Sequence, residues 1–206
     1  MPRIADPKKI KRLLAATRQL LIRQGFGGTS VDQICQEADI SKGIFFHYFK
    51  TKEDAVIAVA RDFVTELNRH FKAGPQARGG DPRQRILHYI DFTIEACERS
   101  VLAAGCLIGA LSSGRRSDSD ADKIQRICHE VFTGWITSFE ALLQMAQQSG
   151  VLAARIDTHT LACQYVALVE GSLLLRKTLG PEIPRRNLMG FRAMLAQLLT
   201  PARSGS

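Results

Sequence analysis

Long apolar runs are missing from this chain of 206 residues, where even extended stretches without a charge, such as Val101 to Gly114 and Thr158 to Val169, are short. Both fall short of the roughly 18 apolar residues that a membrane-spanning helix needs, so no contact with a bilayer is expected. Cysteine is scarce and odd in number: Cys35, Cys97, Cys106, Cys128 and Cys163 are widely spaced, with no C-x-x-C and no histidine clustered among them. That excludes a disulfide framework and a zinc site, and it fits reduced thiols in a cytoplasmic protein with no bound metal. Alternating apolar and polar residues bounded by hairpin turns are absent, as is any internal repeat. Also missing are G-x-S-x-G, the phosphate-binding loop, H-E-x-x-H, G-x-G-x-x-G and a local cysteine-protease signature. An enzyme would have to be built on Cys106 as nucleophile with His88 or His129 as base. The expectation is a protein that is not an enzyme and carries no cofactor. Residues Met1 to Lys9 are basic without an apolar segment behind them, and Pro2 excludes the glycine that myristoylation requires.

What is present reads as helix. Hydrophobic residues make up 45% and charged residues 23%, the balance of a soluble globular chain. The spacing predicts a first helix over about Pro7 to Gln24, with Ile10, Leu13, Leu14, Thr17 and Leu21 on one face and Gly25 ending it. Ser30 with Gln33 three residues later is a capping box that opens a short helix ending near Ala38. Ser41 caps a third, and Thr51 before Lys52, Glu53 and Asp54 opens a fourth that reaches about Lys72. After a Gly/Pro loop from Gly74 to Gly80, Asp81 and Pro82 start a helix to about Arg99. A short helix over Gly105 to Ser112, a polar loop from Ser113 to Asp120, and a long helix to Gln148 follow. Asp157 caps another that ends at Gly180, and a last helix spans about Arg185 to Leu199. The fold class is therefore all-α.

Net charge is +8, from 28 basic and 20 acidic residues. Within residues 1 to 28, Arg3, Lys8, Lys9, Lys11, Arg12, Arg18 and Arg23 face Asp6 alone, which suggests a polyanionic partner. Directly after this cluster, two short helices are joined by the tight polar turn Asp39-Ile40-Ser41. Val31, Ile34, Cys35 and Ala38 form the inner face of the first. In the second, Phe45 and Phe49 point inward with Ile40 inserted from the turn. At 100° per residue this leaves Gly43, Ile44 and His47 on the outer face, with Lys42 and Phe46 at one flank and Tyr48 at the other. That is a helix-turn-helix presenting its recognition helix outward to double-stranded DNA. Lys42, Lys52, Thr29 and the Tyr48 hydroxyl are the expected phosphate contacts, joined at the helix starts by Ser30 and Ser41. Gly43 lets backbone approach the duplex, and Ile44, Phe46 and His47 face the bases.

At Gly25-Phe26, Thr29-Ser30, Ser41-Lys42-Gly43, His47-Tyr48-Phe49-Lys50 and Lys52-Glu53 the chain closely resembles the TetR family of bacterial transcriptional regulators. The resemblance covers about residues 8 to 55. It implies a three-helix DNA-binding domain over 1–51 and a helical regulatory and dimerisation domain over 52–200, ahead of a disordered tail over 201–206. It also implies a homodimer through the last two long helices, a palindromic DNA operator, and a small-molecule effector whose binding releases that operator. Phe46 stands where many members have tyrosine, and Ile44 where many have a small or polar residue.

The regulatory half is less distinctive. Phe63, Leu67, Phe92, Leu107, Phe132 and Trp135 have helical spacing and are the candidate lining of an apolar ligand pocket, with His88, Glu95 or His129 as polar anchors. Cys106 is read as a buried, inert thiol, with redox or electrophile sensing as the alternative. The terminal helices carry Leu161, Tyr165, Leu168, Leu173, Leu188, Phe191, Leu195 and Leu198, expected to build a four-helix interface between two copies.

Overall fold

The computed structural model describes residues 7–74, 80–112 and 119–199. The expected loop over 75–79, most of the 113–120 loop and the 201–206 tail lie outside the described residues. Among those described, nine helices follow one another: α1 (Pro7–Gln24), α2 (Val31–Ala38), α3 (Lys42–Tyr48), α4 (Lys52–Ala73), α5 (Pro82–Arg99), α6 (Leu107–Ser112), α7 (Ser119–Gln148), α8 (Thr158–Leu179) and α9 (Ile183–Leu198). Their β-type pairing is limited to one bridge between Leu152 and Leu199. The all-α reading stands. Helix starts differ from expectation by two residues at α6, which begins later, and at α9, which begins earlier because Pro184 sits in its first turn. There the missing N–H leaves no helical bond unmade.

Local chemistry sets the ends. Ser30 Oγ accepts the Gln33 amide at 3.2 Å while the Ser30 amide donates to Gln33 Oε1 at 2.9 Å. Thr51 and Asp54 make the same reciprocal pair, at 3.1 and 3.2 Å, and fix the start of α4. Asp157 Oδ1 accepts the Thr160 amide at 3.0 Å at the head of α8. Each cap satisfies amides that a helix start would otherwise leave unpaired.

The chain forms two compact units, one of residues 1–65 with 106–129 and one of 66–105 with 130–206. The first holds a small core in which Leu13, Ala16 and Leu20 of α1 meet Ile34, Cys35 and Ala38 of α2, Phe45 of α3 and Ala55 of α4. Val31, Ile40, Tyr48 and Phe49 pack around its edge. In the second unit α9 packs on both α5 and α8. Aromatic rings run through its core: Phe139 stacks on Tyr165 at 4.2 Å, and Tyr165 meets Phe191 at 5.4 Å. Arg192 ties α9 to α5 through both oxygens of Asp91, at 2.6 and 3.0 Å.

That packing corrects the expected dimer face. Leu161, Tyr165, Leu173, Leu188, Phe191 and Leu195 are buried inside the protomer. The large apolar side chains that α8 and α9 leave in solvent are Leu174, Leu175, Leu179, Met189, Met194 and Leu198. Of the expected interface residues, Leu198 is among them and Leu168 is half-buried; the other six lie on inward stripes that close the protomer's own core.

Candidate nucleic-acid interface

The reader of the first unit is shaped by its turns. Gly25, at φ +71°, ends α1 in a left-handed conformation, with its amide bonded to Leu21 O at 2.9 Å. Between α2 and α3, Asp39 is the one described non-glycine residue at positive φ, +51°, and its amide closes α2 onto Gln36 and Cys35 carbonyls. A short polar side chain tolerates this conformation better than most. Arg12 of α1 holds the same turn, donating to the Asp39 carbonyl at 2.9 Å with the Asp39 carboxylate 3.6 Å away. Ser41 Oγ then accepts the Ile44 amide at 3.4 Å and starts α3.

On α3, Phe45 is fully buried and anchors the helix, as expected. Lys42, Gly43, Phe46 and His47 are exposed on the side away from the core, while Ile44 and Tyr48 are half-buried. Phe46 is 53% exposed and braced edge-on against Phe45 at 5.3 Å. It offers more apolar surface than Ile44, which is half-buried and not fully on the outer face that its spacing predicts. A Cβ at Gly43 would meet no atom closer than Ser41 Oγ, at 3.8 Å, so the space outside this glycine is open. His47 lies edge-on to Tyr48 at 5.2 Å.

Several expected DNA contacts have internal tasks. Thr29 is 2% exposed, and its hydroxyl donates to Gly25 O at 2.7 Å. It shapes the α1–α2 turn and has no surface to offer a phosphate. Lys52 is half-buried and donates to Phe26 O at 3.2 Å and Thr29 O at 3.0 Å, with its ammonium 3.9 Å above the Phe26 ring. It therefore staples that turn to α4. The oxygens of Ser30 and Ser41 accept capping amides, so their primary role is local. Lys42 remains exposed but is paired with Asp32 Oδ1 at 2.7 Å, and the bond to that carboxylate raises its pKa. No local sequence pattern marks Asp32 as this partner, since the two residues are ten apart across a turn. Part of the basic cluster is likewise engaged: Arg12 at Asp39, Arg23 3.6 Å from Glu37, and Arg18 4.7 Å from the Phe63 ring.

The second unit contains a narrow apolar cleft with an open interior of about 20 Å³, lined by Phe71, Tyr89, Thr93, Leu102, Trp135, Tyr165, Val166 and Val169. Of the six pocket residues expected from sequence, Trp135 lines it. Phe63 and Leu107 belong to the first unit, where both are fully buried. Leu67 is core, Phe92 stacks on His70 at 4.1 Å, and Phe132 supports Trp135 edge-on at 5.6 Å. The proposed anchors His88, Glu95 and His129 are exposed. Helical spacing identified apolar residues but not which of them border a gap. Burial pushes the pKa of both Tyr89 and Tyr165 well above the ordinary phenol value.

Cys106 is buried, with its sulfur accepting the Gly109 amide at 3.4 Å. Cys97, also buried, is pushed up to about 12 by desolvation. Among the described residues no group of three His, Cys, Asp or Glu side chains is placed to hold a metal ion, and no helix is long and apolar enough to cross a membrane.

Comparison with known proteins adds family context. Residues 13–59 match the family described as bacterial regulatory proteins, tetR family. Residues 82–191 match the tetracyclin repressor-like C-terminal domain. The chain is 24% identical over 192 residues to the HTH-type transcriptional repressor DhaR of Mycobacterium sp. (strain GP1), covering 93% of this chain and 92% of that protein. The crystal structure of regulatory protein TetR from Rhodobacter sphaeroides superposes with a TM-score of 0.76 at 25% identity, covering 92% of this chain and 98% of that one. A TetR transcriptional regulator from Chloroflexus aurantiacus J-10-FL gives 0.79 at 21% identity, covering 93% and 96%.

Proposed function

The chain belongs to the tetR family of bacterial regulatory proteins, and on that premise we propose a repressor that holds a palindromic operator as a two-fold dimer and releases it when a small molecule enters the cleft of the second unit. It is a DNA-binding transcriptional regulator. The observation that carries the reading is the outward face of α3, where Lys42, Gly43, Phe46 and His47 stand in solvent on a helix locked by Phe45, the Asp39 turn and the Ser41 cap. A helix so held can enter a major groove without rearranging its support. Lys42 and the exposed Lys9 and Lys11 of α1 supply sequence-independent attraction to phosphates.

DNA reading is assigned to residues 1–51, and effector binding and pairing to 52–200. The exposed Leu174, Leu175 and Leu179 of α8 with Met189, Met194 and Leu198 of α9 supply the apolar surface for a second copy, and the four helices so joined match a common dimer geometry. The place of action is the cytoplasm. The test is a gel shift with DNA from upstream of the chain's own coding region, repeated at about 0.5 M salt. A specific complex that weakens steeply with salt supports the reading. A chain that retards no such fragment at low salt refutes it.

A further inference from the structure

We propose that Cys163, His159 and Glu140 form a surface site of covalent modification, at which the thiol exchanges with a low-molecular-weight disulfide and becomes a mixed disulfide. The three side chains stand in a row. Cys163 Sγ lies 3.6 Å from Nε2 of His159, one turn earlier on α8, and His159 Nδ1 lies 3.0 Å from Glu140 Oε2 on α7. The other oxygen of that carboxylate accepts from Gln144 Nε2 at 3.2 Å, so the carboxylate is itself held in place. An ionised carboxylate only accepts, which puts the ring hydrogen on Nδ1 and turns the lone pair of Nε2 towards the sulfur. This is the order of nucleophile, base and orienting acid that activates a thiol. The hydrogen bond to Glu140 also raises the pKa of His159, which makes Nε2 a better acceptor for the thiol proton. With the imidazole standing between its two partners, the three groups do not converge as ligands of one metal ion.

Access sets this thiol apart. Cys35, Cys97, Cys106 and Cys128 are buried, whereas Cys163 is half-buried and the His159 side chain beside it is 65% exposed. Reactive cysteines are partly exposed with a base or cation at hand, and buried ones are inert. The access that Cys106 lacks, Cys163 has. With the other four sulfurs buried, an internal disulfide has no accessible partner, so the second sulfur has to come from solution. The open position of His159 imposes no shape on the reagent, which suits exchange, a reaction governed by thiolate formation and access. In the step itself, His159 Nε2 takes the proton from Sγ and the sulfur attacks one sulfur of the disulfide. The new S–S bond forms as the old one breaks, and the departing sulfur leaves with the electron pair and receives the proton from His159 through solvent. Cys163 is oxidised, the departing sulfur is reduced to a thiol, and His159 returns to its neutral form. Excess small thiol drives the same steps backwards. The site shares no residue with the cleft, the DNA-facing helix or the apolar surface assigned to a second copy, so its chemistry is independent of operator release.

The full-length chain, reduced and freed of small thiols, is treated at neutral pH with the uncharged aromatic disulfide dithiodipyridine. Absorbance of the released thiopyridone gives the rate, and peptide mass spectrometry locates the labelled residue. In the folded chain Cys163 is expected to react at least about tenfold faster than the thiol of N-acetylcysteine amide, and the buried cysteines only after unfolding in guanidinium. His159→Asn should slow Cys163 at least about tenfold, and Glu140→Gln should slow it by a smaller factor. Continued protection of the buried thiols shows that each variant is folded. Excess oxidised glutathione should add a single glutathionyl group at Cys163 by intact mass and peptide mapping, and dithiothreitol should remove it. A folded chain in which Cys163 reacts no faster than N-acetylcysteine amide, in which another cysteine reacts first, or which takes up no glutathionyl group overturns the proposal. So does an unchanged rate in His159→Asn, which would leave exposure as the whole cause. The rate, the site of labelling and the glutathionyl adduct are all read on the unmodified chain and do not depend on a variant folding.

Discussion

Replacing Lys52 by methionine separates a turn staple from a phosphate contact. In the structure its ammonium makes two hydrogen bonds to carbonyls, at 3.2 and 3.0 Å, and stands 3.9 Å from the Phe26 ring. Bonds from a charged donor contribute about 1.5–3 kcal/mol each when well formed, and an exposed cation–π contact about 0.5–1 kcal/mol. Lys52 is only half-buried, and the freed carbonyls of Phe26 and Thr29 regain part of this from water. Methionine also keeps the apolar stem. The net loss expected for Lys52→Met is therefore about 1–2 kcal/mol. At about 2–4 °C per kcal/mol for a chain of this size, the melting temperature at fixed protein concentration should fall by about 2–8 °C. Operator affinity should drop as the turn loosens, with the slope of log affinity against log salt unchanged. A phosphate contact would behave in the opposite way: two lysines per dimer would flatten that slope by about 1.8 and leave the unfolding temperature alone. Calorimetry and a salt titration of the same variant decide between them. A flattened slope with an unaltered melting temperature would refute the staple.

Four further outcomes follow from the geometry. Asp32→Asn should free Lys42 from its 2.7 Å partner, strengthening DNA binding at low salt and steepening the salt slope by up to about 1.8 per dimer; an unchanged slope in a filter-binding titration would show that Lys42 does not reach a phosphate. Phe46, the exposed ring of α3, should read a thymine methyl, so uracil in place of that thymine should cost about 1 kcal/mol with the unmodified chain and nothing with Phe46→Ala. Leu174→Glu with Leu179→Glu should give a folded monomer by light scattering, since both side chains lie in solvent in the protomer; a persistent dimer would locate the interface elsewhere. Glu140, 3.0 Å from His159, raises that imidazole's pKa above 6.5, so the pair's stabilisation is complete below the unfolded value and disappears as pH rises through the raised folded value; an NMR titration of His159 should move down in Glu140→Gln, and an unmoved curve would contradict the pairing.

Much of the reading head was legible because its determinants are local. The Ser30/Gln33 box, the Ser41 cap and the inward pair Phe45 and Phe49 are set by neighbours within a few residues, so the helices and their buried faces could be derived from spacing alone. The roles of Thr29 and Lys52 could not. Both side chains are polar and sit where DNA is expected, yet Thr29 turns back to Gly25 O four residues earlier, and Lys52 meets carbonyls more than twenty residues away only because the Gly25–Thr29 turn falls beside the start of α4. The same holds for Lys42 and Asp32. In the second unit, apolar periodicity identified helices but could not rank their faces. Tyr165 and Leu173 were assigned to a partner copy because the sequence does not reveal that α9 packs on both α5 and α8 and draws those side chains inward. The cleft was least legible, since Thr93 and Tyr165 gain meaning only from the gap they border.

The core of the reading head has a kinetic side. Among the described residues, eight buried side chains form its centre, and the helices it steadies, α2 and α3, have 8 and 7 residues. Segments that short do not hold helical form alone in water, where about 12–15 residues is the usual minimum. Their order is borrowed from Phe45, from the caps and from the turn clamps, so local opening of this pair should lie well below the free energy of global unfolding. Amide hydrogens of α2 and α3 are then expected to exchange sooner than those of α5 and α9, and to slow when an operator is bound. Association then draws on the closed reader that already predominates and suppresses its local opening, which the slowed exchange reports.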